Sequence, residues 1–140
     1  MRILLALAAL LLTLPAWACA GLSASDGRIP QAPPGATVLA GYVTLSNAGA
    51  KPVIVHKVES ADFESVGLHR TIIENGISKM DMLEQVSIPA HGQLQFAPGG
   101  LHLMLFKPRR EMKPGEQAAM SFFCGDQKPL DVKFTVTAAP

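Results

Sequence analysis

Short apolar runs alternate with turn-forming residues along most of the chain. The runs are rich in Val, Ile, Thr and Phe, and most of the 11 prolines and 12 glycines lie between them. Runs of this length at this spacing predict β-strands of a sandwich or barrel. The predicted strands include 37–47, 53–60, 66–73, 77–83, 101–106, 117–123 and 130–136. We find no helical pattern and no internal repeat, so the pattern predicts one all-β domain.

The first twenty residues differ from the rest of the chain. Arg2 precedes an apolar run at 3–14, and Pro15 and small residues follow. This order is typical of a secretory signal peptide. The run is too short for a membrane span, which needs about 20 apolar residues. We therefore predict a signal peptide at 1–20 and an exported protein without a membrane span.

Two cleavage sites fit the end of this segment, one after Ala18 and one after Ala20. A third interpretation attaches a lipid to Cys19, although the residues before it fit a lipobox poorly. The other cysteine of the chain is Cys124. Because exported compartments are oxidising, a Cys19–Cys124 disulfide is possible only if processing leaves Cys19 in place. The sequence alone leaves these alternatives open.

The remainder divides into a lead-in and one domain. Residues 21–35 are rich in Ser, Asp, Pro and Gly and predict an extended N-terminal segment. Residues 36–140 would form the folded β-domain. The full chain carries 12 basic and 11 acidic residues, a net charge of +1. Such a balanced charge argues against nucleic acid as a partner.

A hairpin signal stands between two of the predicted strands. Asn75-Gly76 favours a two-residue type I′ turn, since both residues tolerate positive φ. Counting back from that turn places His69 opposite Met82, with Met80 two residues further along the same face. One imidazole and two thioethers are thus predicted to share one face of the sheet.

A second pair of the same kind lies in "PGGLHLMLF". On a strand that starts near Leu101, the leucines at 101, 103 and 105 face one way, which suits a core. His102 and Met104 then share the opposite face, about 7 Å apart. This spacing allows one nitrogen and one flexible sulfur to reach the same ion.

Two imidazoles and two thioethers form a soft, uncharged set of donors. Thioethers favour Cu(I) over zinc, magnesium or calcium, which prefer harder or anionic ligands. Methionine also needs no deprotonation and forms no disulfide in an oxidising compartment. Since histidine must be neutral to bind, we expect binding to weaken below about pH 6.5.

The spacing His69-x10-Met80-x21-His102-x-Met104 resembles the copper-binding motif of the periplasmic copper chaperone family PCuAC. The segments "GYVTLSN", "NGISKM", "IPAHG" and "PGGLHLML" are also similar, and the resemblance extends over 32–136. It implies a cupredoxin-like Greek-key β-sandwich that binds one Cu(I) per chain. It also implies delivery to the assembly of cytochrome c oxidase, at the CuA centre of subunit II or through another copper chaperone.

Some residues near the motif remain outside it. Met82 faces His69 but is not used by the family motif, so we interpret it as an apolar rim. Asp81 stands where a basic residue is expected, and Cys124 is not a general family feature. The remaining side chains considered, which we assign to structural roles or to a solvated loop, are His56, His91, Met112, Met120 and the run "KPRRE".

Two functions fit such a site, and two others fit it poorly. The first is a monomeric periplasmic metallochaperone without catalytic activity. The second is a protein that sequesters copper and confers resistance. An electron-transfer cupredoxin would need a Cys thiolate beside histidines, and Cys124 has no His or Met at useful spacing. A copper-dependent redox enzyme would need an acid–base pair and a substrate pocket, which the pattern lacks.

Overall fold

The structure, a computed structural model, describes residues 18–140. A short 3-10 turn, Ala18–Gly21, precedes eleven strands. The strands are β1 Leu22–Pro30, β2 Val38–Asn47, β3 Val53–Val55, β4 Lys57–Glu59, β5 Phe63–Glu74, β6 Ile77–Leu83, β7 Val86–Ile88, β8 Gln93–Gln95, β9 Leu101–Pro108, β10 Gln117–Phe123 and β11 Leu130–Thr137. No helix in this range is long and apolar enough to cross a membrane. Most of the predicted signal peptide, at 1–17, lies outside the described residues.

Strand β2 belongs to both layers of the sandwich. Its first half, 38–41, pairs antiparallel with β9, and its second half, 42–47, pairs with β1. The sheet order is β4-β10-β11-β1-β2-β9-β5-β6, with β8 on β2 and a separate β3-β7 pair. The all-β prediction is therefore confirmed, and β9, β5 and β6 form one end of the sheet order.

The predicted lead-in at 21–35 is mostly a strand of the sheet. β1 pairs antiparallel with β2 and parallel with β11. Its apolar residues Leu22 and Ile29 are both buried, although seven positions would place them on opposite faces of a regular strand. A register shift between Ser25 and Arg28 adds one residue to β1 and returns both side chains to the core. The polar sequence between them concealed this strand from a search for alternating apolar residues.

The run 53–60 also differs from the simplest prediction, since it forms two short strands. β3 pairs with β7, whereas β4 pairs with β10. His56 lies at the break, where its backbone N–H donates to the carbonyl of Phe123 at 3.1 Å. This break lets one apolar run contribute to two different sheets.

The core lies between the layers and is mostly aliphatic and aromatic. Phe122 and Phe134 stack with their ring centroids 6.3 Å apart. The largest fully buried side chains are Phe63, Phe96, Phe122, Phe134, Ile29, Leu45, Ile88, Leu103, Leu105, Met120, Val43 and Val55. Leu103 and Leu105 were predicted to face the core, and their burial determines which face of β9 remains for His102 and Met104.

A disulfide joins the start of the described chain to the end of β10. Cys19 and Cys124 are paired, with their Cα atoms 5.3 Å apart. Both cysteines are buried. The pairing that the sequence left open is present, and it leaves no free cysteine among residues 18–140.

Candidate metal centre

The β5–β6 hairpin has the register that its turn predicted. Asn75 and Gly76 both have positive φ, 51° and 75°. The strands pair so that His69 faces Met82 and Thr71 faces Met80. The prediction that His69, Met80 and Met82 share one face is therefore confirmed. Asp81 pairs with Arg70 and lies on the other face.

Strand β9 lies directly against β5 and places the second histidine beside the first. His69 faces His102, and Gly67 faces Met104. The two imidazole rings stack at an angle of 28°, with their centroids 5.9 Å apart. Met82, His69 and His102 thus form one row across three neighbouring strands, and Met104 lies in the next row beside Gly67.

The His102 side chain has one nitrogen bonded and one free. Its Nδ1 lies 3.1 Å from the carbonyl oxygen of Gly100. A carbonyl can only accept, so Nδ1 carries the proton and donates it. Nε2 then presents a lone pair, and it is buried without a hydrogen-bond partner. A backbone bond of this kind is what orients metal-binding histidines in proteins.

His69 has a second unsatisfied nitrogen on the adjacent strand. Its Nδ1 is also buried without a hydrogen-bond partner. Among the side-chain nitrogens and oxygens of residues 18–140, only this atom and Nε2 of His102 are buried and unpartnered. Buried polar groups nearly always have partners, so two exceptions on neighbouring rings require an explanation. A metal ion bound by both nitrogens would provide one.

The environment of His69 favours the neutral imidazole. Desolvation by burial lowers the pKa of His69 below 6.5, and the neighbouring His102 lowers it further. A neutral ring is the form that binds a metal. Protons therefore compete for His69 only at a lower pH than the value expected for a free imidazole.

The methionines supply the sulfur atoms of this face. Met80 is 62% exposed and Met82 is 76% exposed, whereas Met104 is half-buried between β5 and β2. Among residues 18–140 no three His, Cys, Asp or Glu side chains are grouped to hold a metal. The donors that this face offers to a metal are imidazole nitrogens and thioether sulfurs.

Gly67 is a site residue that the sequence analysis missed. A Cβ at this position would lie 2.7 Å from Nε2 of His69, which is too close, and 3.0 Å from Cδ2 of the same ring, which is tight. The missing side chain therefore provides the space for the imidazole. Phe106 borders the same ring, with centroids 6.3 Å apart. An isolated glycine inside a strand signals close approach of another group, but the sequence does not say which group.

We expect Gly67→Ala to displace the His69 ring and to weaken Cu(I) binding about 10–100-fold, as loss of a ligand-orienting residue does. Gly41→Ala on β2 is the control, because a Cβ there meets its nearest neighbours, Leu103 and Leu105, at ordinary distances of 3.4 and 3.5 Å. Competition titration measures the affinity, and the histidine ring signals in NMR report the displacement. Equal affinity in both variants would show that this space is unimportant.

Most side chains that the sequence analysis set aside lie away from this face or are engaged elsewhere. His56 is exposed at the β3–β4 break, and His91 occupies a turn with φ of 53°. Met112 and Met120 are buried in the core. In the "KPRRE" run, Arg110 binds Asp62 and Glu116, at 3.1 and 2.6 Å. The Arg110 guanidinium therefore forms ion pairs within the protein itself.

Comparison with known proteins agrees with this architecture. The family model described as "Putative lipoprotein LpqE-like" matches residues 22–136. Uncharacterized protein RP573 of Rickettsia prowazekii (strain Madrid E) is 30% identical over 95 residues, 66% of this chain and 52% of its own length. Putative lipoprotein Lxx21020 of Leifsonia xyli subsp. xyli (strain CTCB07) is 30% identical over 101 residues, 70% of this chain and 61% of its own. The chain thus spans about half to three fifths of these curated relatives.

Solved structures share the fold over most of the chain. The copper-bound PCuAC domain from PmoF2 has a TM-score of 0.72 at 22% identity, covering 89% of this chain and 97% of that one. The solution structure of CuI-DR1885 from Deinococcus radiodurans has a TM-score of 0.64 at 27% identity, covering 88% and 80%. The described chain is thus an all-β, cupredoxin-like domain with a cluster of His and Met on one face. It belongs to the LpqE-like family, and its fold is that of the PCuAC domains.

Proposed function

We propose that the protein is an exported metallochaperone that binds one Cu(I) through His69, Met80, His102 and Met104. The observation that carries the proposal is the pair of buried, unpartnered nitrogens on His69 and His102. They lie on a face that also holds thioethers, and Cu(I) is the common biological ion that prefers this donor set. Copper is the cargo of such a protein and is not consumed in a reaction.

The placement of the ligands suits transfer of the ion. His102 is 6% exposed and held by Gly100, whereas Met80 belongs to the exposed edge strand β6. A flexible thioether at an exposed edge can be replaced by a ligand from another protein while the histidines still hold the ion. The site therefore supports stepwise ligand exchange and requires no catalytic group.

The resemblance extends this proposal to a periplasmic location and to oxidase assembly. The expected recipient is the CuA site of cytochrome c oxidase subunit II, or a copper protein that supplies it. Mixing the Cu(I)-loaded protein with the metal-free soluble domain of subunit II tests direct delivery. We expect the CuA absorption and EPR signals to appear after oxidation, while a chain carrying His102→Leu gives none.

Sequestration is the second function that this site supports, and a deletion strain separates the two. Loss of oxidase activity at low copper, restored by added copper, would indicate delivery. Copper sensitivity with normal oxidase activity would indicate sequestration. An electron-transfer site is disfavoured, since Cys124 is bonded to Cys19 and blue copper needs a Cys thiolate.

Met80 and Met82 allow a matched test of the ligand set. Both lie on the same face of β6, and Met82 is the direct neighbour of His69. If the motif holds, Met80→Leu weakens Cu(I) binding about 10-fold or more, by analogy with other losses at metal sites. Met82→Leu should leave the affinity nearly unchanged. The reverse pattern, measured by the same competition titration, would assign the ligand role to Met82.

A further inference from the structure

The fate of Cys19 during export can be inferred from its place in the fold. Three outcomes were open from the sequence: retention after cleavage behind Ala18, removal by cleavage behind Ala20, or attachment of a lipid to its sulfur. The first outcome leaves a free thiol on Cys19, the second removes the residue, and the third converts its sulfur to a thioether. The structure contains the disulfide with Cys124, which only the first outcome allows.

Cys19 is an integral part of the folded domain. The Cys19 side chain is 0% exposed and forms part of the core. Its backbone nitrogen lies 3.2 Å from the carbonyl oxygen of Lys128. Cleavage after Ala20 would remove both the core side chain and the disulfide, and would leave Cys124 as an unpaired buried thiol.

The backbone contact also suits a chain that starts at this residue. After cleavage behind Ala18, the Cys19 nitrogen is the free α-amino group. An ammonium at this point can donate to Lys128 O as a charge-assisted hydrogen bond, which is stronger than a neutral one. The next backbone hydrogen bond is donated by Ala48 N to Gly21 O at 3.3 Å, immediately before β1 begins.

A lipid and the disulfide exclude each other at Cys19. Lipidation of an exported protein forms a thioether at the cysteine sulfur, which then has no free valence for a disulfide. Full burial of the side chain also leaves no path for an acyl-bearing group from this sulfur to a membrane. The label "putative lipoprotein" on the family and on one relative therefore does not describe this cysteine.

We propose that the export peptidase cleaves after Ala18, and that Cys19 becomes an unlipidated N-terminal residue paired with Cys124. Oxidation of the two thiols releases two protons and two electrons. A disulfide-bearing thiol oxidase of the exported compartment accepts them by thiol–disulfide exchange and is itself reduced to a dithiol. The mature protein is released from the membrane, and the disulfide holds its N-terminus against the β-sandwich.

The test is the intact mass of the full chain expressed with its own leader and recovered from the exported fraction. We expect the mass of 19–140 less two hydrogens, with no iodoacetamide labelling of the denatured chain before reduction and two labels after it. A mass of 21–140 with one label before reduction would overturn the proposal. A diacylglyceryl adduct in the membrane fraction would overturn it equally.

Two matched variants address the processing step. Ala18→Leu replaces the small residue that cleavage after 18 requires, and we expect it to block or shift processing. Ala20→Leu should leave the N-terminus at Cys19. The opposite pattern would place the cleavage after Ala20. Because the wild-type mass is measured independently, misfolding of either variant leaves the conclusion intact.

Discussion

His102→Leu is expected to abolish or severely weaken Cu(I) binding while leaving the fold as stable as before. The variant removes the buried Nε2, which has no partner in the protein. It also removes the Nδ1 bond to Gly100, worth about 1 kcal/mol net. Leucine fills a buried site without an unsatisfied polar atom, which offsets that loss. We expect the Kd for Cu(I) to rise by at least about 10–100-fold.

Measurement of this variant needs two readouts and one control. Competition titration gives the affinity, and chemical denaturation gives the free energy of unfolding. His56→Leu is the matched control, because His56 is exposed and its contribution is a backbone bond. It should change neither quantity. An unchanged affinity for His102→Leu would remove His102 from the ligand set, whereas a large loss of stability would give it a structural role instead.

Cys124→Ser is expected to produce the largest loss of stability of any single change considered. The disulfide closes a sequence separation of 105 residues, for which chain entropy predicts about 4.7 kcal/mol. Losses of about 2–5 kcal/mol are typical for native disulfides of small secreted domains. For a domain of this size the Tm should fall by about 10 °C or more. Calorimetry under non-reducing conditions measures the difference.

Reduction of the wild-type protein provides the control for this loss. A reductant should lower the wild-type Tm to that of Cys124→Ser and have no further effect on the variant. A Cys19→Ser/Cys124→Ser double variant, which carries no thiol that could bind Cu(I), should keep the wild-type Cu(I) affinity, because the proposed ligands lie on β5, β6 and β9 and the disulfide follows β10. A wild-type Tm that does not respond to reduction would contradict a stabilising disulfide.

Local signals in the sequence were sufficient to predict the hairpin and its register. Asn75-Gly76 imposes a tight turn, and the alternation of side chains then places His69 beside Met82. The face of β9 was equally predictable, because the leucines at 103 and 105 must be buried. Each of these predictions needed only residues that are close in the sequence and the alternation of side chains between the two faces of a strand.

The pairing of β9 with β5 could not be predicted from the residues themselves. The strands are distant along the chain, and their register depends on how the whole sheet packs. That register places His69 beside His102 and Gly67 beside Met104. Only the motif resemblance linked the two pairs beforehand. β1 was missed for a related reason, since a bulge breaks its alternation and returns Ile29 to the core.

The most direct test is an anaerobic Cu(I) titration of the disulfide-bonded chain against a chromogenic Cu(I) chelator. Absence of iodoacetamide labelling in denaturant confirms beforehand that neither cysteine contributes a thiolate. We expect each chain to withdraw one Cu(I) from the chelator. A chain that withdraws none would show that the imidazoles of His69 and His102 and the thioethers of Met80 and Met104 do not bind copper together, and the proposed function would be wrong.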